Sequence, residues 1–552
     1  MATSEADYIV VGGGLTGCAV AARLKQGNPS LDVLILEAGV DPADNPNTKS
    51  FTGCLALLDS DLDWAYQTVP QANIQNRVHT IHAGKTLGGG SVTNLGGWAR
   101  GDAKDYDQWA KVVGDDRWSY KGLLPFFRKS ERFFDSKADP EQHGFDGPIC
   151  VTSVSASDPQ RRYPLRDPVR AAWEELGVKY NPDSCSGSTA GLCEYLENWH
   201  DGQRQPAHLA YGLEGVRVIT GATVHRVVFS KDADGQQVAS SVLLADGRQF
   251  TARKEIILSA GAVRTPQILM LSGIGPADTL SKHGIPVVSE NPEVGKNLLD
   301  HFCLYQVFKL RNPEKGFALG SPLLADPAYF KGLPADWAVN EAVPSHLLEP
   351  AVQEDEASLA KTRSTADTRA LLDPGRSHVE ILVVYTSLGP PMDGSLITTS
   401  TMLLLPTSRG TITLASASPS DPPVIDSNFY STHADRVSLI YGTRRVLQAL
   451  LDTAAGKEYI ESEVPPPGMP PLTPQSTDEE IDARIRAAGV AHYHPEGSAA
   501  MGEVVDPELR VYGVRGLRVA DASVLPLAIG GHPQATLYAL AEQAAHMILQ
   551  AA

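Results

Sequence analysis

Two sets of residues in this chain have the types and spacing for chemistry: glycines placed to receive a phosphate, and histidines set in tight turns. Gly12, Gly14 and Gly17 spell GxGxxG directly after a β-branched run at residues 8–11. A helical apolar spacing follows over 18–25, then a strand-like run at 33–36 that ends on Glu37, twenty residues after Gly17. Glycines at these positions allow a tight turn and a close backbone approach to a pyrophosphate. The helix N-terminus favours the phosphate charge, and the acid accepts from a ribose hydroxyl. The pattern predicts a dinucleotide site, and Glu37 in place of a basic residue disfavours the 2′-phosphate of NADP. Of fifteen histidines, His494 precedes Pro495 and a glycine turn, and His532 stands between Gly531 and Pro533 before a final helical stretch. Imidazole is the side chain whose ordinary pKa suits proton transfer near neutral pH.

The fingerprint alone leaves NAD and FAD open. Four further blocks bear on the choice. Residues 84–94 carry Gly88, Gly89 and Gly90 in succession, with Leu87 before them and Asn94 at the end. Residues 261–275 follow a strand-like run at 255–258, with Thr265-Pro266 as a helix start and Ser272-Gly273 as its close. The third block, 494–502, begins at His494; the fourth, 517–526, contains Asp521 and Ala522 and leads to 531–536, ending at Thr536.

In this order the blocks resemble the glucose–methanol–choline (GMC) family of flavin oxidoreductases, and the resemblance runs from residue 8 to residue 548. The 261–275 block fits the family's second signature throughout. The 84–94 block fits the first except at Thr93, where an aliphatic residue is usual. Stretches at 284–287, 294–301 and 406–410 agree.

The resemblance implies FAD, and a fold of α/β plus α+β type: a Rossmann-like FAD-binding domain with a substrate domain built on a large antiparallel sheet. Residues 1–150, 201–301 and 491–552 would form the FAD-binding part, 302–490 the substrate domain, and 151–200 an excursion belonging to it. Carried over, Gly12, Gly14, Leu15 and Thr16, beside Gly17 of the fingerprint, would meet the pyrophosphate, Glu37 the adenosine ribose and Val224 the adenine. Leu87, Gly89, Gly90, Asn94 and Gly96 would lie along the flavin and its pyrophosphate, with Asp521, Ala522 and Thr536 at the ribityl–isoalloxazine end. Some members attach FAD through a His in the 84–94 block; this chain carries Asn94 and no His there, so noncovalent FAD is expected.

The implied activity is oxidation of a small alcohol, primary or aromatic, with dioxygen or another acceptor completing the cycle. His494 would be the base and His532 would hydrogen-bond the same oxygen. The alternatives on the same fold are a hydroxynitrile lyase-like enzyme and a redox-silent flavoprotein. His492 would share a strand face with His494 and is read as structural, as is His301, placed at a helix end. Glu496 departs from the family, which has a small or aliphatic residue there. It either turns to solvent or backbone donors, or enters the site and raises the pKa of a histidine.

Composition narrows the setting. The 552 residues include 47 Lys and Arg against 65 Asp and Glu, a net charge of −18. With no basic block, nucleic acid and anionic membranes are not expected partners. No apolar run reaches bilayer length. The six cysteines show neither a disulfide pattern nor metal-ligand spacing, so no metal is expected. The opening residues lack a basic and apolar leader, and a cytoplasmic location is expected. Among the elements, strands are predicted at 222–228, 378–384, 398–405 and 411–414. A helix through Arg486 is predicted behind a capping pair, Ser476 with Glu479. Residues 311–376 are a candidate lid or a surface insertion, and the polar residues at 100–107 a loop over the flavin or a solvated turn.

Overall fold

The computed structural model describes residues 4–360, 365–389 and 391–551. Part of the candidate lid, 361–364, lies outside the described residues, as do the first three residues and the last.

The chain opens as the glycine pattern predicts: β1 (Glu5–Val11), α1 (Leu15–Gly27) and β2 (Val33–Leu36). β1 and β2 pair in parallel, Tyr8 with Val33 through Val11 with Leu36, and every residue of β2 is buried. A strand buried on both faces has no reason to alternate, which is why these runs are continuously apolar. The sheet has seven strands, in the order Arg217–Ile219, β2, β1, Gln249–Leu258, Gln237–Leu244, Val224–Lys231, with Leu517–Val519 also on Gln249–Leu258. The last strand comes from near the C-terminus, so the sheet is assembled from distant segments. α1 lies against the closing helix Gln534–Ala551, and Arg23 Nε donates to Glu542 Oε1 at 2.7 Å across them.

A second sheet, antiparallel, also has seven strands: Ile460–Val464, Phe302–Leu310, Leu396–Leu403, Val379–Val384, Trp337–Glu341 and Gly191–Glu194, with Val490–Ala491 on Phe302–Leu310. Its register puts Tyr305 opposite Ser400 and Leu382 opposite the same serine; Val307 and Val384 both face Thr398. Side chains alternate across a strand, so these residues share one face, and Glu380 joins them two places before Leu382. The fold is a Rossmann-like sheet with a large antiparallel sheet beside it, as expected. No described helix is long and apolar enough to cross a membrane.

Several local expectations need correction. The helix expected to start at Thr265-Pro266 runs from Gly261 to Leu271, with Pro266 inside it. The capping box is one residue later than expected: Thr477 and Glu480 cap Asp478–Ala488 reciprocally, while Ser476 Oγ accepts from Thr473 N at 3.1 Å. The polar stretch at 100–107 is neither a solvated turn nor part of the cavity wall. Arg100, Asp102 and Asp105 are buried; Arg100 pairs with Glu131 at 2.6 Å and Asp105 with Arg376 at 2.9 Å. The described residues within 311–376 include strand Trp337–Glu341 of the second sheet and helix Ser345–Leu359.

Candidate active site

Between the two sheets lies a cavity of about 980 Å³ that runs from the GxGxxG turn to the histidines. Its volume is at the upper end of the roughly 300–1,000 Å³ usual for ligand sites. Gly12, Gly14, Leu15, Thr16, Glu37, Gly89, Gly90, Asn94, Gly96, Val224, Asp521, Ala522, His494 and His532 all line it. Gly17, Leu87 and Thr536 are brought to the same region but stand behind the wall. A Cβ on Gly17 would sit 2.0 Å from Gly12 O, so this glycine lets α1 close on the turn. Leu87 packs under Gly13, and Thr536 Oγ1 is bonded to Tyr106 OH at 2.8 Å.

The dinucleotide end is built mainly of backbone. Gly12 has φ +98°, and a Cβ there would meet Ser259 O at 2.4 Å. Gly90 has the opposite character: a Cβ on it would meet nothing within 4 Å, because it faces the open cavity. α1 is entered from Gly14, which provides no side-chain cap and leaves first-turn N–H groups for a phosphate. Glu37 is buried, with Oε2 accepting from Gly13 N and Oε1 from Gly39 N, each at 2.7 Å. Burial pushes its carboxyl up to about 7, against the pull of the N–H groups of Gly39, Gly13 and Ala38. Asp521 is already saturated by protein donors: Gly261 N and Thr265 Oγ1 on Oδ2, Ser523 N and Oγ on Oδ1. Asn94 donates to Gln534 Oε1 at 2.9 Å and accepts from Gly96 N at 3.0 Å and from Arg204.

The other end gathers four imidazoles. The ring centroids of His494 and His532 are 5.1 Å apart, those of His492 and His494 4.9 Å, and those of His492 and His532 5.4 Å. His301 stands behind His494, with Nδ1 to Nδ1 at 2.9 Å. Tyr493, between two of these residues, has φ +60°, so the segment turns here instead of continuing strand Val490–Ala491. The turn is fixed by His492 N donating to His301 O, His494 N donating to Asp300 Oδ1, and a reciprocal pair between Leu299 and Glu496. His301 therefore stands just before strand Phe302–Leu310 rather than at a helix end, and it supports His494 directly. His492 lines the cavity, which the structural reading of it did not foresee.

Sequence reasoning missed Glu380, whose Oε1 is 2.8 Å from His532 Nε2. Its signal was available: a lone acid in an otherwise apolar strand, Val379–Val384. Burial would push His532 down, but the Glu380 carboxylate outweighs burial and raises it. Burial would likewise raise Glu380, and the His532 charge holds it below its ordinary value. His494 moves the other way, well below the usual histidine range, through burial and then the neighbouring imidazoles of His492, His301 and His532. Burial also lowers His492 to about 4 and His301 to about 3, and raises Asp300 to about 8.

Glu496 fits neither expectation. It is buried yet absent from the cavity wall, and its Oε2 has no hydrogen-bond partner among the described residues. Burial, followed by the nearby Asp300 and opposed by Arg409, drives its carboxyl well up. Burial thus disfavours the charge that would raise a histidine, and the side chain is not on the cavity wall.

Family comparison agrees with this geometry. The two parts of the GMC oxidoreductase family match residues 6–303 and 406–541. The chain belongs to the GMC oxidoreductases. The GMC-type oxidoreductase acuG of Aspergillus aculeatus is 40% identical over 98% of this chain and 99% of its own. An alcohol dehydrogenase [acceptor] of Pseudomonas putida is 33% identical over 99% and 96%. Among solved structures, a fungal aryl-alcohol oxidase superposes with a TM-score of 0.82 at 27% identity, covering 100% of this chain and 99% of its own. The mutated Aspergillus oryzae formate oxidase, studied for FAD modification, gives 0.86 at 29% over 99% and 98%. This oxidoreductase is thus an FAD flavoprotein, and the observed wall suits the cofactor. The glycine turn, the uncapped helix start, Glu37 and the open space at Gly90 are what a dinucleotide requires.

Proposed function

We propose that this GMC oxidoreductase oxidises a small primary or aromatic alcohol, with His494 as base and His532 as the partner of the same oxygen. The observation that carries the reading is the pairing of unlike imidazoles on one cavity wall. His532 is held by Glu380 as a hydrogen-bond donor, while burial keeps His494 neutral and able to accept a proton.

The positions of the side chains support this mechanism. Glycines 12, 14, 89 and 90, the start of α1 and Glu37 would hold FAD, noncovalently, along the long axis of the cavity. FAD, when bound, supplies a hydride acceptor at N5. The hydrogen between His494 and His301 belongs on His494 Nδ1 when His494 acts as base, which leaves its Nε2 free to take the hydroxyl proton. His532, with Nε2 on Glu380, turns Nδ1 to the reacting end and steadies the alcohol oxygen as its proton leaves. Tyr305, Val307, Leu382, Val384 and Leu396 make that end predominantly apolar, which suits an aromatic or alkyl group on the carbinol carbon. A bound alcohol that displaced water from these side chains would have its oxygen contacts strengthened relative to solvent.

The test is anaerobic mixing of the yellow holoenzyme with a panel of benzylic, allylic and alkyl alcohols. At least one apolar alcohol is expected to bleach the flavin, and readmitting air or adding a quinone identifies the acceptor class. Acid precipitation should leave FAD in the supernatant. A flavin that stays yellow with every alcohol but supports cyanohydrin cleavage would replace this reading with a lyase.

A further inference from the structure

The histidine cluster has two imidazoles beyond a base and its partner: His301 behind His494, and His492 on the cavity wall. We propose that His492, His494 and His532 form a site for one divalent transition-metal ion of the zinc class, seated where the alcohol oxygen would lie, so that metal and alcohol exclude each other. Each of the three offers a ring nitrogen, and these nitrogens all lie within 4.8 Å of one another. A tetrahedral ion with bonds of about 2.0–2.1 Å needs its nitrogens about 3.4 Å apart. Closing that difference requires the three rings to turn towards a common centre as the ion binds.

The independent support is behind the rings. A histidine that binds a metal nearly always has its second nitrogen held by a partner, which fixes the tautomer and the ring plane. His494 Nδ1 is held by His301 Nδ1 at 2.9 Å, and His532 Nε2 by Glu380 Oε1 at 2.8 Å. Both contacts leave the other nitrogen, Nε2 of His494 and Nδ1 of His532, for the ion. The buried carboxylate of Glu380 adds negative charge beside it. Three imidazoles with one open position suit zinc, copper or nickel, whereas magnesium and calcium take oxygen. The ligands are separated by 38 residues of chain, from His494 to His532, which no short metal motif spans. The other such cluster among the described residues, Asp59 with Asp63 and His82, has an exposed acid, and its histidine is already committed to Asp63.

Binding itself does not depend on the proposed reaction; only the exclusion of alcohol does. The FAD-loaded enzyme is titrated with Zn²⁺ by calorimetry and with Co²⁺ by its visible ligand-field bands, beside Mg²⁺ as control. One saturable site is expected for zinc and cobalt and none for magnesium. His492→Ala should weaken zinc by more than about tenfold, and Glu380→Gln by about 10–100-fold, the range for losing an outer partner. His492→Gln serves where the alanine variant loses FAD. Zinc should raise the alcohol concentration needed for flavin reduction without changing the limiting rate, and EDTA should restore the original curve. Wild-type enzyme that binds zinc no more tightly than the His492 variants would overturn the site. Tight binding with unaltered alcohol dependence would overturn the exclusion. An enzyme that reduces its flavin with no alcohol would sink the proposed reaction while the metal titrations still decide the site.

Discussion

The two ends of the cavity are built from different materials. At the dinucleotide end the wall is glycine, backbone and apolar side chain, and its two acids, Glu37 and Asp521, are satisfied by the protein's own N–H and O–H groups. At the other end four imidazoles crowd together, and polar atoms such as His301 Nε2 and Asp300 Oδ2 are buried without hydrogen-bond partners among the described residues. Shape and fixed dipoles suffice to hold a ligand whose charges do not change. Moving a proton requires groups held in opposed protonation states, and these cost desolvation and need partners from elsewhere in the chain.

The comparison predicts a clean separation of phenotypes, and the largest effect belongs to His494. His494→Ala should retain its FAD, because no contact of that imidazole reaches the glycine wall. It should lose about 10²–10⁴ in the rate of flavin reduction by alcohol, the usual contribution of a general base. Stopped-flow reduction at saturating alcohol measures it. A variant that reduces at the wild-type rate removes His494 from the base role and leaves His492 as the nearest substitute.

What the sequence makes legible divides along the same line. The GxGxxG turn, β1, α1, β2 and Glu37 are consecutive, and each signals through local geometry: φ +98° at Gly12, helix entry at Gly14, strand end before Glu37. The histidine end is non-local. His494 and His532 stand out because Gly and Pro flank them, but His301 meets His494 only because Leu299 and Glu496 pair across 197 residues. Glu380 lies 152 residues from His532, and strand alternation could have flagged it only once its neighbours were known to face a cavity. Glu496 misled for the related reason that burial is invisible in sequence: a charged residue beside a key histidine invites an electrostatic role, whereas the fold buries it, which disfavours its charge.

The second effect sharpens the comparison within the histidine end. Glu380→Gln removes the charge opposite His532 while keeping size and a hydrogen-bonding tip. Losing a hydrogen bond to a charged group is worth about 1.5–3 kcal/mol, or roughly 10–150-fold. The decrease is expected in the limiting reduction rate, with FAD content unchanged. An unaltered rate would mean that the Glu380 contact shapes the wall without supporting the reaction.

The smallest effect is at the dinucleotide end and has a pH signature. Glu37 has a folded-state pKa of about 7 in the cofactor-free chain, above its ordinary value of 4.5 because burial outweighs its three N–H donors. A carboxyl raised on folding stabilises the fold fully below its unfolded pKa. That stability is lost as pH rises through the folded pKa, at about 1.4 kcal/mol per unit of displacement. In Glu37→Gln the titration is absent. The amide nitrogen cannot accept from Gly13 N or Gly39 N, so the variant should be less stable than wild type at pH 5. The gap should narrow between pH 5 and pH 8, because only the wild type loses stability over that window. FAD affinity should fall by roughly tenfold, the weakening expected from losing a charge-assisted acceptor, and the alcohol profile should not change. Urea unfolding of both FAD-free proteins across the pH range reads the first effect, and flavin fluorescence titration the second. A stability gap that stays constant with pH would show that Glu37 is ionised throughout, held so by the N–H groups of Gly13, Ala38 and Gly39. The dinucleotide end would then be more polar than its burial implies, and closer in kind to the histidine end.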